Sequence, residues 1–199
     1  MGQYFTNEKL QSNIKKIECF VRGNKFIFNT DNGVFSKNGM DFGSRLLIDV
    51  IPLDEVGGKI LDLGCDYGVF GIILNKLTGS SVDMVDVNLR ALHLCKMNCE
   101  ANHCTNVNVF ESNVYENINS KYDSIITNPP IRAGKKVVYD ILLNASDYLN
   151  DNGKLFFVIR KQQGALSTIE KLKEVYDVDI LEKKSGYYII KCEKCGVKD

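Results

Sequence analysis

The sequence predicts an α/β fold, a mostly parallel sheet with helices on both faces, within one domain of 199 residues. Three observations carry this expectation. From Lys59 onward short apolar runs alternate with amphipathic stretches, the pattern of strands and helices around a parallel sheet. The first of these runs, Leu61-Asp62-Leu63, passes directly into a turn bearing Gly64 and Gly68 and then into helical spacing. Near the end, two apolar runs flank Lys183-Lys184-Ser185-Gly186, which reads as a closing antiparallel hairpin.

Taken in order, Ile17, Cys19 and Val21 alternate with polar residues and a turn at Gly23 and Asn24 precedes Phe26 and Phe28, so the chain should begin with a hairpin. Asp41 to Ile51 has helical spacing and stops before Pro52, while Gly57 and Gly58 lead into the first core strand. Strands are expected at Lys59 to Leu63, Val82 to Asp86, Val107 to Phe110, Tyr122 to Thr127 and Lys154 to Arg160. Helices should fill the gaps at Val69 to Leu77, Leu89 to Ala101 with Asn88 as N-cap, Lys136 to Leu149 and Ala165 to Val175. Tyr176 to Leu181 and Tyr187 to Cys192 form the terminal hairpin. Residues 1–58 thus make a hairpin and helix extension, and residues 59–199 the core.

Composition narrows the function. Hydrophobic residues make up 44% and charged residues 25%, which suits a chain that buries a core rather than a disordered one. Lys and Arg total 25 against 25 Asp and Glu, so affinity for nucleic acid has to come from a local patch. A charged start followed by an apolar run is missing, as is any apolar stretch of membrane-spanning length, which predicts a cytoplasmic protein. Seven cysteines, an odd number in apolar segments, fit reduced thiols. A zinc site built from Cys192 and Cys195 with Cys95, Cys99, Cys104 or His103 is the alternative. A lone CxxC supplies only half of a structural zinc's ligands, so no metal is expected.

Three constellations carry chemistry. In Asp62-Leu63-Gly64-Cys65-Asp66-Tyr67-Gly68, glycines let the backbone approach a ligand and the following helix presents free amides. A plain tight turn would use glycine too. Asp86 ends the next strand at about the spacing at which an acid accepts ribose hydroxyls, or it caps the loop there. Together they point to an adenosine ligand. Third, Asn128-Pro129-Pro130 ends a strand and blocks further pairing, so that the Asn128 amide and the Pro129 carbonyl offer two acceptors to the cleft. Two acceptors suit an exocyclic amine, whose two N–H groups they would hold while its lone pair is aimed at an electrophile; no strong base is needed.

These residues resemble the class I S-adenosylmethionine (SAM) dependent methyltransferases of amino groups. Gly33-Val34-Phe35-Ser36, Asp41-Phe42-Gly43-Ser44-Arg45-Leu46-Leu47 and Asn128-Pro129-Pro130-Ile131-Arg132-Ala133-Gly134-Lys135 narrow the resemblance to the "methyltransferase small" group, which contains guanine-N2 methyltransferases of small-subunit ribosomal RNA. The resemblance covers nearly the whole chain and matches the catalytic half of the two-domain ribosomal enzymes. It implies a Rossmann-like seven-stranded sheet with an antiparallel last strand. It also implies SAM as cofactor, with Asp62, Gly64, Asp66 and Gly68 along its methionine part, Asp86 at the ribose, Asn113 at the adenine, and Phe35, Ser36 and Asp41 closing the pocket. Asp66 stands where the family usually has glycine; aspartate tolerates left-handed backbone and can cap the next helix.

Arg132, Lys135 and Lys136 place positive charge directly after the catalytic turn, where a phosphate backbone could be held. Ile131 stands where adenine-N6 and glutamine-N5 enzymes place an aromatic ring, which favours guanine N2 of ribosomal RNA with Ile131, Arg132, Lys135 and Lys136 at the substrate. Adenine N6, protein glutamine N5, a small-molecule amine and a non-catalytic SAM- or RNA-binding module stay open as alternatives.

Overall fold

The computed structural model describes residues 11–36 and 39–194. The first described elements are β1 (Lys15–Val21) and β2 (Asn24–Thr30), joined by Arg22 and Gly23, which both take positive φ as a tight hairpin turn requires. Helix α1 (Phe42–Val50) follows, its N-cap being Asp41, whose Oδ1 accepts from the amides of Gly43 at 2.9 Å and Ser44 at 3.2 Å. The alternating part then runs β3 (Lys59–Leu63), α2 (Val69–Thr78), β4 (Ser81–Asp86), α3 (Leu89–Ala101), β5 (Val107–Glu111), β6 (Tyr122–Thr127), α4 (Lys135–Tyr148), β7 (Leu149–Arg160) and α5 (Ala165–Leu172). It closes on the hairpin β8 (Tyr176–Lys184) and β9 (Tyr187–Lys194).

The seven-stranded sheet has the order β5-β4-β3-β6-β7-β9-β8. The pairs β4/β5, β3/β4, β3/β6 and β6/β7 are parallel, and β9 lies antiparallel between β7 and β8. One apolar core, with Leu47, Ile60, Ile73, Met84 and Leu94, covers one face of the sheet, and a second, with Leu61, Ile125, Leu142, Leu155 and Ile169, covers the other. Adjacent β3 residues Ile60 and Leu61 thus serve opposite cores, as the period of two demands.

Asn88 caps α3 as expected, accepting from the amides of Arg90 and Ala91. The terminal hairpin is longer than expected, β8 running on to Lys184 and β9 to Lys194 so that only Ser185 and Gly186 turn, and two further elements differ at one end. β7 begins at Leu149 rather than Lys154 because Asn152 takes φ +60 and the polar run bends within the strand instead of forming a loop; Leu149 still pairs with Tyr122 across an irregularity. α5 ends at Leu172 rather than Val175, and the chain turns through Lys173 into β8.

The N-terminal hairpin docks on α3 through side-chain amides that imitate a neighbouring strand. Asn98 accepts from the Asn29 amide at 2.6 Å and donates to its carbonyl at 3.1 Å, and Asn102, one turn on, does the same for Ile27 at 3.0 and 2.7 Å. The exposed edge of β2 is satisfied in this way.

The start of β3 is held by Asp123, whose Oδ2 accepts from the amides of Gly58 and Lys59 while its Oδ1 accepts from Asn150. A Cβ on Gly57 would stand 2.3 Å from the Asp123 Cβ, and Gly57 has φ +74. Gly57→Ala is therefore expected to destabilise by about 3 kcal/mol in chemical denaturation, against about 1 kcal/mol for Gly79→Ala, where φ is also +74 but a Cβ meets nothing.

The zinc alternative finds no support among the described residues. Cys192 is buried in one core while Cys95 and Cys99 are buried in the other, and no group of three or more His, Cys, Asp or Glu side chains could hold a metal ion. Cys195 lies outside the described residues. No described helix is long and apolar enough to cross a membrane.

Candidate active site

Between β3 and β6 the strand order reverses, and at such a switch point the carboxyl ends of the strands open a crevice. The glycine turn leaves β3 there. Its shape is fixed by the amides of Gly64 and Cys65, which both donate to the Val85 carbonyl at 2.9 Å, and by left-handed backbone at Gly64, Asp66 and Gly68. A Cβ on Gly64 would meet nothing within 4 Å, so this side of the turn faces the open crevice. On Gly68 it would stand 2.7 Å from the Cys95 sulfur, so the space saved there lets α2 pack on α3.

Asp62, on β3, is fully buried. Its Oδ2 accepts from the Gly71 amide at 2.8 Å, and its Oδ1 is buried with no partner. Burial pushes its pKa up to about 7, against the pull of the Gly71 hydrogen bond and with help from Asp86. Asp86, at the end of β4, accepts from the Asn88 amide on Oδ1 and from the Asp66 amide on Oδ2, both at 2.9 Å, and burial raises its pKa. Asp66 is likewise raised by burial and by Asp86, while the amides of Phe35 and Tyr67 hold it back. Asp66 tolerates its left-handed backbone at φ +49, as anticipated, but does not cap α2, whose N-cap is Gly68 without a side-chain bond. Its carboxyl instead meets the Phe35 amide and ties the N-terminal segment to the glycine turn.

That segment is strapped on further. The Gly33 carbonyl accepts from Asn88 at 3.2 Å, the Asn32 carbonyl accepts from Arg90 at 2.8 Å, and Arg90 pairs with Asp31 at 3.6 Å. Phe35 is thereby brought to the glycine turn, with Ser36 next to it in the chain. Asp41, expected to help close the pocket, caps α1 through its Oδ1. Asn113 follows Ser112, whose amide donates to the Asp86 carbonyl at 3.1 Å, and its exposed side chain donates to Glu116 at 3.2 Å.

Across the crevice, the Thr127 hydroxyl donates to the Leu63 carbonyl at 2.8 Å and locks the end of β6 to the glycine turn. The Asn128 side-chain nitrogen donates to the Ser44 hydroxyl at 3.1 Å. Ser44 is 6% exposed, in the first turn of α1 set by the Asp41 cap. With the nitrogen committed, Oδ1 is the atom left to act as acceptor. The sequence alone assigns no role to Ser44 or Thr127; the signal for Ser44 is its place within the Asp41-to-Leu47 motif. Pro129 is buried and Pro130 exposed, and the Pro130 carbonyl accepts from Ala133 in a single helical turn, Ile131–Ala133. Ile131 is half-buried against the second core and lines a cavity of about 120 Å³ with Lys135, Tyr139 and Gly164. Arg132, Lys135 and Lys136 are exposed, and the Lys135 ammonium sits 5.3 Å over the Tyr139 ring. A larger hollow of about 680 Å³, with Lys96, Cys104 and Val109, lies on the flank between α3 and β5, away from the crevice.

The profile of the methyltransferase small domain matches residues 25–191. The chain belongs to the methyltransferase small domain family. This methyltransferase is 46% identical over 200 residues to the uncharacterized protein YbxB of Bacillus subtilis, covering 98% of this chain and all of that one. It is 34% identical over 168 residues to ribosomal RNA small subunit methyltransferase C of Psychromonas ingrahamii, covering 80% of this chain but 46% of the relative, so it spans about half the length of that enzyme. Among solved structures, the Thermus thermophilus 16S rRNA N2 guanosine-1207 methyltransferase RsmC, in complex with AdoMet and guanosine, superposes with a TM-score of 0.81 at 25% identity, over 94% of this chain and 52% of that one.

The chain is accordingly a SAM-dependent methyltransferase. Its own residues fit that cofactor. Asp62 carries a buried oxygen lacking a donor, Gly64 leaves open space, and three carboxyl groups, Asp62, Asp66 and Asp86, gather in a region that favours positive charge.

Proposed function

We propose that this methyltransferase methylates the exocyclic N2 of guanine in small-subunit ribosomal RNA. The observation that carries the reading is the Asn128 amide held by Ser44 beside the open side of the glycine turn. Similarity to the small subunit methyltransferases C and to RsmC supports the substrate.

SAM, when bound, supplies an electrophilic methyl group. Asp62, Gly64, Asp66 and Gly68 hold its methionine part, Asp86 its ribose and Asn113 its adenine, with Phe35 and Ser36 over the pocket. Asn128 Oδ1 and the Pro129 carbonyl accept the two N–H groups of the acceptor amine, while Pro130 fixes the course of the turn. Holding both hydrogens draws the nitrogen lone pair out of conjugation and aims it at the methyl, so catalysis is by orientation and electrostatics. Methylation makes the nitrogen strongly acidic, and its proton passes to solvent without a dedicated base. Arg132, Lys135 and Lys136, exposed beside the turn, neutralise backbone phosphates. Ile131 packs inward and presents no ring, which favours guanine over adenine N6 or glutamine N5.

The reading is tested by offering the protein methyl-labelled SAM with small-subunit RNA, assembled small subunits, DNA and total protein separately. Label enters RNA, free or assembled; label only in protein or DNA contradicts the proposal. Ser44→Ala frees the Asn128 amide to rotate and is expected to lower kcat about tenfold with the SAM Kd unchanged, Ser44→Thr retaining most activity. A change confined to SAM binding would show that Ser44 acts elsewhere.

A further inference from the structure

We propose that Phe42, Tyr187 and Arg160 form a second nucleobase subsite, which takes an unpaired base of the RNA chain adjacent to the acceptor guanine; it rests on the RNA reading above. Phe42 opens α1 with 45% of its surface exposed, its ring centroid 5.3 Å from that of Tyr187 and tilted by 48°. The next residue has to be glycine, since a Cβ on Gly43 would stand 2.7 Å from the Tyr187 ring. Tyr187 opens β9 opposite Arg160, the last residue of β7, whose guanidinium lies 4.5 Å over the Tyr187 ring and donates to its hydroxyl.

This wall stands beside the reacting turn. Ser44, which holds Asn128, is two residues from Phe42 on the same helical turn. Thr127 pairs with Phe157, so Arg160 projects beyond it at the carboxyl end of the sheet, where the crevice opens. Among the described residues no carboxylate pairs with Arg160 in a salt bridge; its guanidinium lies over the Tyr187 ring instead. Arg160 and Phe42 are both exposed, so a base approaching from solvent can reach them. Aromatic rings and guanidinium planes are the surfaces on which splayed RNA bases stack, and positive charge next to them suits the phosphates that join those bases.

The chain has no tryptophan, so Phe42→Trp adds a single reporter whose fluorescence a stacked base quenches. Titration with a short oligouridylate carrying one guanosine is expected to quench it, and the same backbone with abasic residues is expected not to. Phe42→Ala and Arg160→Gln should each raise the KM for small-subunit RNA about tenfold, with Phe42→Tyr close to wild type. A merely structural role would not make the quench depend on bases. Quenching that is absent, or equal with the abasic chain, overturns the subsite, as does an unchanged KM in both variants while wild type still labels RNA. Wild type leaving RNA unlabelled contradicts the RNA reading itself, and the subsite falls with it.

Discussion

Asn128→Ala is expected to lower kcat by about 10²- to 10³-fold while the SAM Kd stays within about twofold. The variant deletes the oriented acceptor but leaves Thr127 bonded to Leu63, so the end of β6 and the glycine turn stay in place. A loss of this size confined to kcat is what an interaction made mainly in the transition state produces. Asn128→Asp provides the control. It keeps an oxygen acceptor but cannot donate to Ser44, so it should fall between wild type and alanine. Calorimetry of SAM binding with single-turnover methyl transfer checks both variants, and a raised SAM Kd accounting for the whole loss would contradict the assignment.

The second large effect is at Asp62, where function and stability should move in opposite directions. Its pKa is raised by burial from 3.8 to about 7 in the fold, so the folded state binds this proton more tightly than the unfolded chain. The resulting stabilisation is fully present below about pH 4 and is lost as pH rises through about 7. Asp62→Asn, which keeps an acceptor for the Gly71 amide, should therefore raise the Tm of the SAM-free protein at pH 8 by roughly 5 °C, with the gain vanishing near pH 4. The same substitution removes a carboxylate proposed to hold the methionine part of SAM, and should weaken SAM about 10- to 100-fold at pH 8. In wild type, SAM affinity should fall as pH drops below about 7 and Asp62 takes up its proton. Thermal melts and SAM titrations at several pH values check this, and equal Tm values at pH 8 would contradict it.

Much of the frame was legible because its signals are local. Strand β3 and helix α3 come directly from apolar periodicity, a glycine turn and Asn88 as cap, and β6 ends where two prolines make further pairing impossible. What sequence could not place depends on which atoms of distant segments meet. Asp41 caps α1 through one carboxylate oxygen, a use that its place ahead of Phe42 does not by itself distinguish from lining a pocket. Asp66 looked like a helix cap, but its carboxyl turns to the Phe35 amide, 31 residues earlier in the chain. Ser44 and Asn128 are far apart in sequence, and so are Phe42, Arg160 and Tyr187; no periodicity links such positions. The bend at Asn152 was hidden because asparagine reads as loop when only its polarity is considered.

The most direct test of guanine-N2 transfer at Asn128 is to incubate wild type and Asn128→Ala with methyl-labelled SAM and small-subunit RNA, both free and assembled, and to digest the RNA to nucleosides. Wild type should place its label in N2-methylguanosine and the variant should place almost none. Label in N6-methyladenosine, or equal N2-methylguanosine from both proteins, would contradict the account.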